Sequence, residues 1–168
     1  MPPVPAFQAQ WRERLASGSK LAARALAQAL RDDDTRVPLI VPLARDPLPT
    51  VRVATLRALE ELAARKPAAV APFAAELLAG LAAPEPDAQA AALATLGHVA
   101  PYAQPEAALA LPLIADLLKA RRPALREEAV RCLGRLGAQL PERAPLVARQ
   151  LGDALGDARH ARAGAEAR

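Results

Sequence analysis

Five polar residues in the middle of the chain are the first candidates for binding a partner. They are Arg57, Glu61, His98, Arg131 and Arg135, and each falls on the polar side of an amphipathic segment. A line of arginines along such segments would form a charged groove for an acidic peptide or helix. The same residues also suit an ordinary solvated helix surface, and the sequence leaves both interpretations open.

A second basic group lies further along the chain. Lys119, Arg121, Arg122 and Arg126 form the densest cluster of positive charge. In one interpretation they contact phosphates or an acidic partner, since a guanidinium group binds such groups through two parallel hydrogen bonds. In the other they form a solvated loop that the following glutamates neutralise. No aromatic residue is interleaved, which argues against stacking on single-stranded nucleic acid.

Residue types that often carry chemistry are present without the necessary neighbours. His98 and His160 have no partners at metal-ligand spacing, and Cys132 falls on an apolar stripe. The run from Asp32 to Asp34 lacks the alternating ligands and glycine of a calcium loop. No group of titratable residues with a catalytic spacing is visible. We therefore predict no catalytic residue, no metal site and no cofactor, and we expect that the protein is not an enzyme.

Composition restricts the class of protein that can present these residues. The 168 residues are 52% hydrophobic but only 2% aromatic, so Ala, Leu and Val must form a helical core. The 17 prolines favour short helices joined by frequent turns. A net charge of +4 is too small to predict nucleic-acid binding on its own. The single cysteine, the absence of a secretion signal and the short apolar runs predict a soluble, cytoplasmic protein without a membrane partner.

An internal repeat organises the chain. The segment from Pro38 to Leu62 aligns without a gap on the segment from Pro112 to Leu136, at an offset of 74 residues. A third segment, Asp87 to Val99, lies halfway between them at an offset of 37 and shares their apolar pattern. A period of this length is typical of stacked helical repeats.

The period predicts an all-α, right-handed solenoid of antiparallel helix pairs. We expect a divergent N-terminal pair over 1–34 and repeats over 35–66, 67–104, 105–140 and 141–168, the last incomplete. In the first repeat, helices are predicted from a Thr35 cap to Arg45 and from Thr50 to Arg65. The remaining helices are predicted at 7–17, 19–31, 70–81, 87–100 with an Asp87 cap, 106–120, 124–137, 144–155 and from 159, after a Gly156–Asp157 turn.

Each second helix carries one apolar stripe at helical spacing, too narrow for the helix to be stable alone. The stripes must therefore be buried against neighbouring repeats. Phe7, Trp11 and Leu15 form a similar stripe in the first helix, and Leu21, Ala25, Leu26 and Ala29 form one in the second. The predicted core stripes of the later helices are Val51, Thr55, Ala58, Leu59 and Leu62; Ala88, Ala92, Thr95, Leu96 and Val99; and Leu125, Ala129, Cys132, Leu133 and Leu136.

The pattern of the first repeat resembles the HEAT repeats. That family has a proline within its first helix, an aspartate at the turn and a Val-Arg pair opening the second helix. Pro38, Asp46, Val51 and Arg52 match all of these. The third repeat keeps the proline and the arginine but has alanine at the turn, and the second repeat is the weakest match. The last keeps the aspartate, as Asp157, but has alanine at the arginine position.

The resemblance implies a fold and a general role. In such arrays Asp46 and Arg52 would belong to a ladder that links neighbouring repeats. The outward side of the second helices would be concave and would bind another protein, acidic or helical, without catalysis. The residues Arg57, Glu61, His98, Arg131 and Arg135 would lie there, with Lys119, Arg121 and Arg122 as further candidates. Since some relatives bind damaged DNA or attach bilin chromophores, a DNA-binding protein of base-excision type and a bilin-lyase-like chaperone are the alternatives.

Overall fold

The regular structure of this chain is helical throughout the part that can be described. The computed structural model describes the backbone of residues 6–166 and the side chains of residues 6–154 and 156. Within residues 6–166 there is no strand. The α-helices are α1 (Ala6–Ala16), α2 (Lys20–Asp32), α3 (Val37–Ile40), α4 (Pro49–Ala63), α5 (Pro67–Val70), α6 (Ala74–Leu81), α7 (Pro86–Val99), α8 (Gln104–Leu117), α9 (Pro123–Gln139) and α10 (Ala144–Glu166).

The three central second helices begin at prolines spaced by 37 residues. Pro49, Pro86 and Pro123 occupy the first positions of α4, α7 and α9. Proline suits this position because its fixed φ is helical and its missing N–H would have no partner there. The residue before each proline is extended, with ψ close to 120°, as the proline ring requires. The prediction that Asp87 caps α7 was therefore wrong, since Glu85 is the N-cap and Asp87 lies in the first turn.

Two of the predicted first helices are broken into short pieces. α3 is flanked by 3₁₀ turns at Asp34–Arg36 and Val41–Arg45, so Thr35 lies in a turn instead of capping a helix. α5 and α6 are separated by a 3₁₀ turn at Ala71–Phe73. Pro42 and Pro72 lie at the starts of these interruptions and have no N–H with which to continue the helix.

The helices pack in two layers. In one layer α2, α4, α7 and α9 follow each other, each packed against the next. In the other layer the turn 41–45 packs against α6, and α6 packs against α8. Every residue of the three predicted core stripes on α4, α7 and α9 is buried. The all-α solenoid of helix pairs is therefore confirmed, and its core runs continuously between the layers.

The two ends of the chain differ from the prediction. In α2 the buried residues include Ala23 and Leu26, whereas Leu21 is 75% exposed and does not belong to the core. At the other end α10 is one helix over Ala144–Glu166, so the predicted turn at Gly156 is wrong. His160 stands where a proline opens α4, α7 and α9, which explains why nothing forces a break there. The division into a cap over 1–34 and repeats over 35–168 stays a prediction.

No helix within the described residues combines the length and the apolar character that crossing a bilayer requires.

Candidate functional site on the outward side of the second helices

The predicted binding residues on the second helices do lie on neighbouring helices of one layer. We call the solvent-facing side of α4, α7 and α9 the outer face. Its polar residues are Arg57, Glu60, Glu61, His98, Glu127, Glu128, Arg131 and Arg135.

Small residues on α7 let the side chains of α4 and α9 approach each other. Ala94 and Gly97 lie on the outward side of α7 yet are buried. The Cδ of Arg135 would lie 3.0 Å from a Cβ placed on Gly97, so this arginine side chain crosses α7 directly over the glycine. Gly97 therefore permits this close approach, which an added Cβ would oppose by displacing the Arg135 side chain. The outer face is shallow along α7 and has charged side chains of α4 and α9 on either side.

The carboxyl group of Glu60 is influenced by charges on both α4 and α9. Burial is the largest cause that raises the pKa of Glu60; Arg57 opposes this shift, and Glu128 adds to it. Arg135 also lowers the pKa of Glu60. Since Glu128 and Arg135 belong to α9, charges from both sides of α7 act on the same carboxyl group. Glu60 was not singled out from the sequence, because its position gives no sign of this burial.

The arginines of the outer face are largely balanced by acids. Arg131 pairs with Glu128, and its Nη2 lies 3.8 Å from a carboxylate oxygen of Glu127. Arg57 Nη2 lies 3.7 Å from a carboxylate oxygen of Asp87. The expected line of positive charge is therefore a surface on which charges of both signs alternate.

His98 contacts the third arginine. Its Nε2 lies 3.5 Å from Arg135 Nη1. Burial lowers the pKa of His98, and the positive charge of Arg135 lowers it further. Both causes favour the neutral form of the imidazole, in which one ring nitrogen can accept a hydrogen bond. His98 thus joins α7 to α9 on this surface.

The second basic group lies at the edge of the outer face. Lys119, Arg121 and Arg122 are exposed at the turn before α9. Arg122 Nη1 lies 3.8 Å from Asp87, the same carboxylate that Arg57 approaches. The structure thus brings Arg122 to the outer face, whereas Lys119 and Arg121 are exposed beside it.

Asp46 and Arg52 link successive helix pairs, but through partners other than each other's side chains. Asp46 is 7% exposed and accepts hydrogen bonds from Arg12 Nε at 2.6 Å and Nη2 at 3.2 Å. Arg52 donates to the carbonyl oxygens of Asp46 and Pro47 and pairs with the carboxylate of Glu85. The predicted ladder therefore exists, with Arg12 and Glu85 as partners. These two lie 34 and 33 residues away, so the 37-residue period did not indicate them.

Arg126 occupies the position of Arg52 at the start of α9. Its Nη1 donates to the carbonyl oxygens of Ala120 at 2.8 Å and Arg121 at 3.1 Å. Among the residues whose side chains are described, no carboxylate forms an ion pair with it. A cavity of about 550 Å³ lies beside it, between α9 and α10. Leu118, Val130 and Leu151 contribute to its lining.

The remaining sequence candidates belong to the core. Cys132 is fully buried, and burial raises the pKa of its thiol to about 12. Trp11 is 5% exposed, with Phe7 edge-on at 6.2 Å and the Arg14 guanidinium at 4.3 Å from the ring centre. Both core predictions are confirmed. The described side chains include no group of three potential metal ligands, and the side chains of Asp157, His160 and Ala163 lie outside the described residues.

The alternatives each require a feature of the outer face. DNA binding of base-excision type needs an aromatic group there, and the sequences of α4, α7 and α9 contain no Phe, Tyr or Trp. A bilin carrier needs an apolar pocket on this face. The cavity described above lies between α9 and α10 instead of over α7.

These features define a helical-repeat protein with a polar ladder between its units. A family model described as HEAT repeats matches residues 74–167, more than half of the chain. The protein belongs to the HEAT-repeat family.

Two solved structures are similar in fold. One is the archaeal HEAT-like repeats protein from Thermococcus onnurineus NA1, with 19% sequence identity and a TM-score of 0.63; the match covers 79% of this chain and 52% of that one. The other is an engineered protein with 21% identity and a TM-score of 0.61, for which the match covers 92% of this chain and 64% of that one. The chain thus spans about half to two thirds of their lengths. A comparison with curated proteins found no match.

Proposed function

We propose that this protein is a non-enzymatic interaction module whose outer face binds a helical segment of another protein. The observation that carries the proposal is that charged side chains of α4 and α9 converge over the small residues Ala94 and Gly97 of α7. HEAT-repeat proteins commonly act as scaffolds for other proteins, which supports the same role. Arg57, Glu61, His98, Arg131 and Arg135 are the proposed contacts, with Lys119, Arg121 and Arg122 at the edge.

The alternating charges favour a particular kind of partner. A partner with acidic residues alone would meet Glu60, Glu61 and Glu128 as well as the arginines, and like charges placed opposite each other cost affinity. A helix with both acidic and basic residues would pair with both. We therefore extend the expected acidic or helical partner to a helix of mixed charge with acidic residues opposite Arg57 and Arg135.

Glu60 also supports a binding role. A carboxylate that burial has partly desolvated without full neutralisation favours a partner that supplies a further cation. The open surface around it lacks the enclosed constellation of groups that catalysis needs.

Affinity capture from the source cells tests the proposal by comparing variants. We expect that Arg57→Glu/Arg131→Glu/Arg135→Glu loses a specific protein that the wild type retains. The matched control is Arg24→Glu/Arg143→Glu/Arg149→Glu, which reverses three exposed arginines for which the described residues show no ion pair. Circular dichroism checks that both variants fold.

Two outcomes would contradict the proposal. One is equal retention of the same proteins by the outer-face variant and by the control. The other is salt-sensitive binding of duplex DNA that the outer-face variant alone abolishes, because this would assign the surface to nucleic acid.

A further inference from the structure

Equivalent positions on three successive second helices differ sharply in exposure. Leu56 on α4, Leu93 on α7 and Val130 on α9 are spaced by 37 residues. Leu56 and Leu93 are fully buried, whereas Val130 is 45% exposed. A Cβ placed on Gly80 would lie 3.2 Å from Leu56 Cδ1 and 2.9 Å from the Cβ of Ala92. The next helix pair, α6 and α7, therefore covers Leu56.

The groove between α9 and α10 repeats the site that α7 occupies. α7 packs against α4 and α6. The groove is lined by counterparts of those helices at an offset of 74: Arg126 for Arg52, Val130 for Leu56, Leu151 for Leu77 and Ala154 for Gly80. The side of α9 that corresponds to the α7-covered side of α4 is thus open, and its lining is apolar except for Arg126, Glu127 and Arg131.

The guanidinium group of Arg126 completes the correspondence. Arg52 holds the turn before its helix through two carbonyl oxygens and uses its other nitrogens to pair with Glu85. Arg126 holds its own turn in the same way, through Ala120 and Arg121. Glu85 is the residue immediately before the first turn of α7. At the groove the arginine is present, and the described side chains supply no carboxylate in the place of Glu85.

We propose that this groove docks an amphipathic helix of another protein, which carries Asp or Glu immediately before its first turn to pair with Arg126. The apolar stripe of that helix covers Val130 and Leu151, and small residues pack against Ala154. A carboxylate at this place also interacts favourably with the dipole of its own helix. The groove shares Glu127 and Arg131 with the outer face, whereas Val130 lines the groove alone and Arg57 belongs to the outer face alone. Variants at Val130 and at Arg57 therefore let either proposal fail without the other.

Charge argues against two other occupants. Arg159 of this chain lies 74 positions after Glu85, but α10 continues past it as one helix, and its charge has the same sign as that of Arg126. A second copy of the chain offers Glu85 as the one carboxylate among the described α-helix N-caps. In each copy that carboxylate is already paired with Arg52.

A peptide of residues 83–100 is a suitable probe, because it contains the carboxylate and the helix that fit the corresponding site on α4. Fluorescence anisotropy of the labelled, N-acetylated peptide measures its binding to the full chain. We expect saturable binding that Val130→Glu and Arg126→Gln each weaken by about tenfold or more. A peptide with Glu85→Lys should lose binding to the wild type and recover it with the Arg126→Glu chain.

Val130→Glu keeps the test independent of folding, because it changes a half-exposed side chain outside the core. The proposal is overturned if the peptide does not bind, or if binding is the same in all variants. It is also overturned if sedimentation velocity shows a dimer that Val130→Glu abolishes, which would assign the groove to a second copy.

Discussion

α4 and α9 are counterparts separated by 74 residues, yet one side of α4 is covered by α7, whereas the equivalent side of α9 meets α10 across an open groove. Both begin with proline, hold their first turn with an arginine and bury a stripe ending in leucine. α4 lies between α2 and α7, whereas α9 lies between α7 and α10. The difference at Leu56 and Val130 thus comes from the neighbours and not from the helix itself. In a stacked array, burial is a property of position along the stack.

The largest expected difference between α4 and α9 is in how a core substitution changes the free energy of unfolding. Leu56→Ala should lower the free energy of unfolding by about 2–5 kcal/mol, because it leaves a cavity under α6 and α7. Val130→Ala should change it by no more than about 0.5 kcal/mol, because the side chain is half exposed. Urea unfolding followed by circular dichroism measures both. Equal losses for the two substitutions would show that α9 is covered as α4 is.

Replacing Gly80 and Gly134 by alanine should change the free energy of unfolding in opposite directions. Gly80→Ala should destabilise by about 1–3 kcal/mol, because the added Cβ meets Ala92 and Leu56 in a packed core. Gly134 on α9 has nothing within 4 Å of an added Cβ. Gly134→Ala should therefore stabilise by about 0.5–1 kcal/mol through the backbone entropy of the unfolded chain. A destabilising Gly134→Ala, measured in the same urea titration, would place an unrecognised neighbour beside α9.

Two carboxyl groups should have smaller effects on the free energy of unfolding, and these effects depend on pH in opposite directions. The hydrogen bond from Arg52 lowers the pKa of Glu85 below its ordinary value of 4.5, so its contribution to stability is present above pH 4.5 and is lost as the pH falls through the lowered pKa. Burial raises the pKa of Glu60, so stability is lost as the pH rises from 4.5 through the raised pKa.

At pH 7 Glu85→Gln should therefore destabilise the protein and Glu60→Gln should stabilise it. Both differences from the wild type should shrink as the pH falls below 4.5, when the carboxyl groups become protonated. Urea midpoints at a series of pH values check this. A destabilising Glu60→Gln at pH 7 would mean that the carboxylate is fully paired on the outer face, contrary to its burial.

The sequence was sufficient to predict which side of each helix is buried. It was insufficient to predict which residues form the ion pairs between repeats. The apolar stripes, including those at Val51, Ala88 and Leu125, were predictable because the helical period determines which side of each helix is apolar. The partners of Asp46 and Arg52 were not predictable, since they lie 34 and 33 residues away and differ in residue type. Periodicity identifies equivalent positions, whereas ion pairs depend on how long side chains cross between units.

At the candidate site, too, the sequence predicted the positions of residues but not the ion pairs that they form. Its arginines were correctly placed on one side of the second helices, but their pairing with Glu127, Glu128 and Asp87 changed the expected charge of the surface. The prediction for the last part of the chain was wrong, because the 37-residue period placed a turn at Gly156 where the structure has a continuous helix. The structure has no proline there to enforce one, and glycine alone is tolerated within a helix at a cost of about 1 kcal/mol.

Thiol labelling tests the central comparison most directly. Leu56→Cys, Leu93→Cys and Val130→Cys place a thiol at equivalent positions, while the buried native Cys132, whose pKa is raised to about 12, serves as the slow internal reference. We expect that Val130→Cys reacts with a maleimide at nearly the rate of a free thiol. The other two should react at least about a hundredfold more slowly, because their reaction requires local unfolding. Similar rates at all three positions would contradict the account, since they would show that Val130 is no more open than its counterparts Leu56 and Leu93.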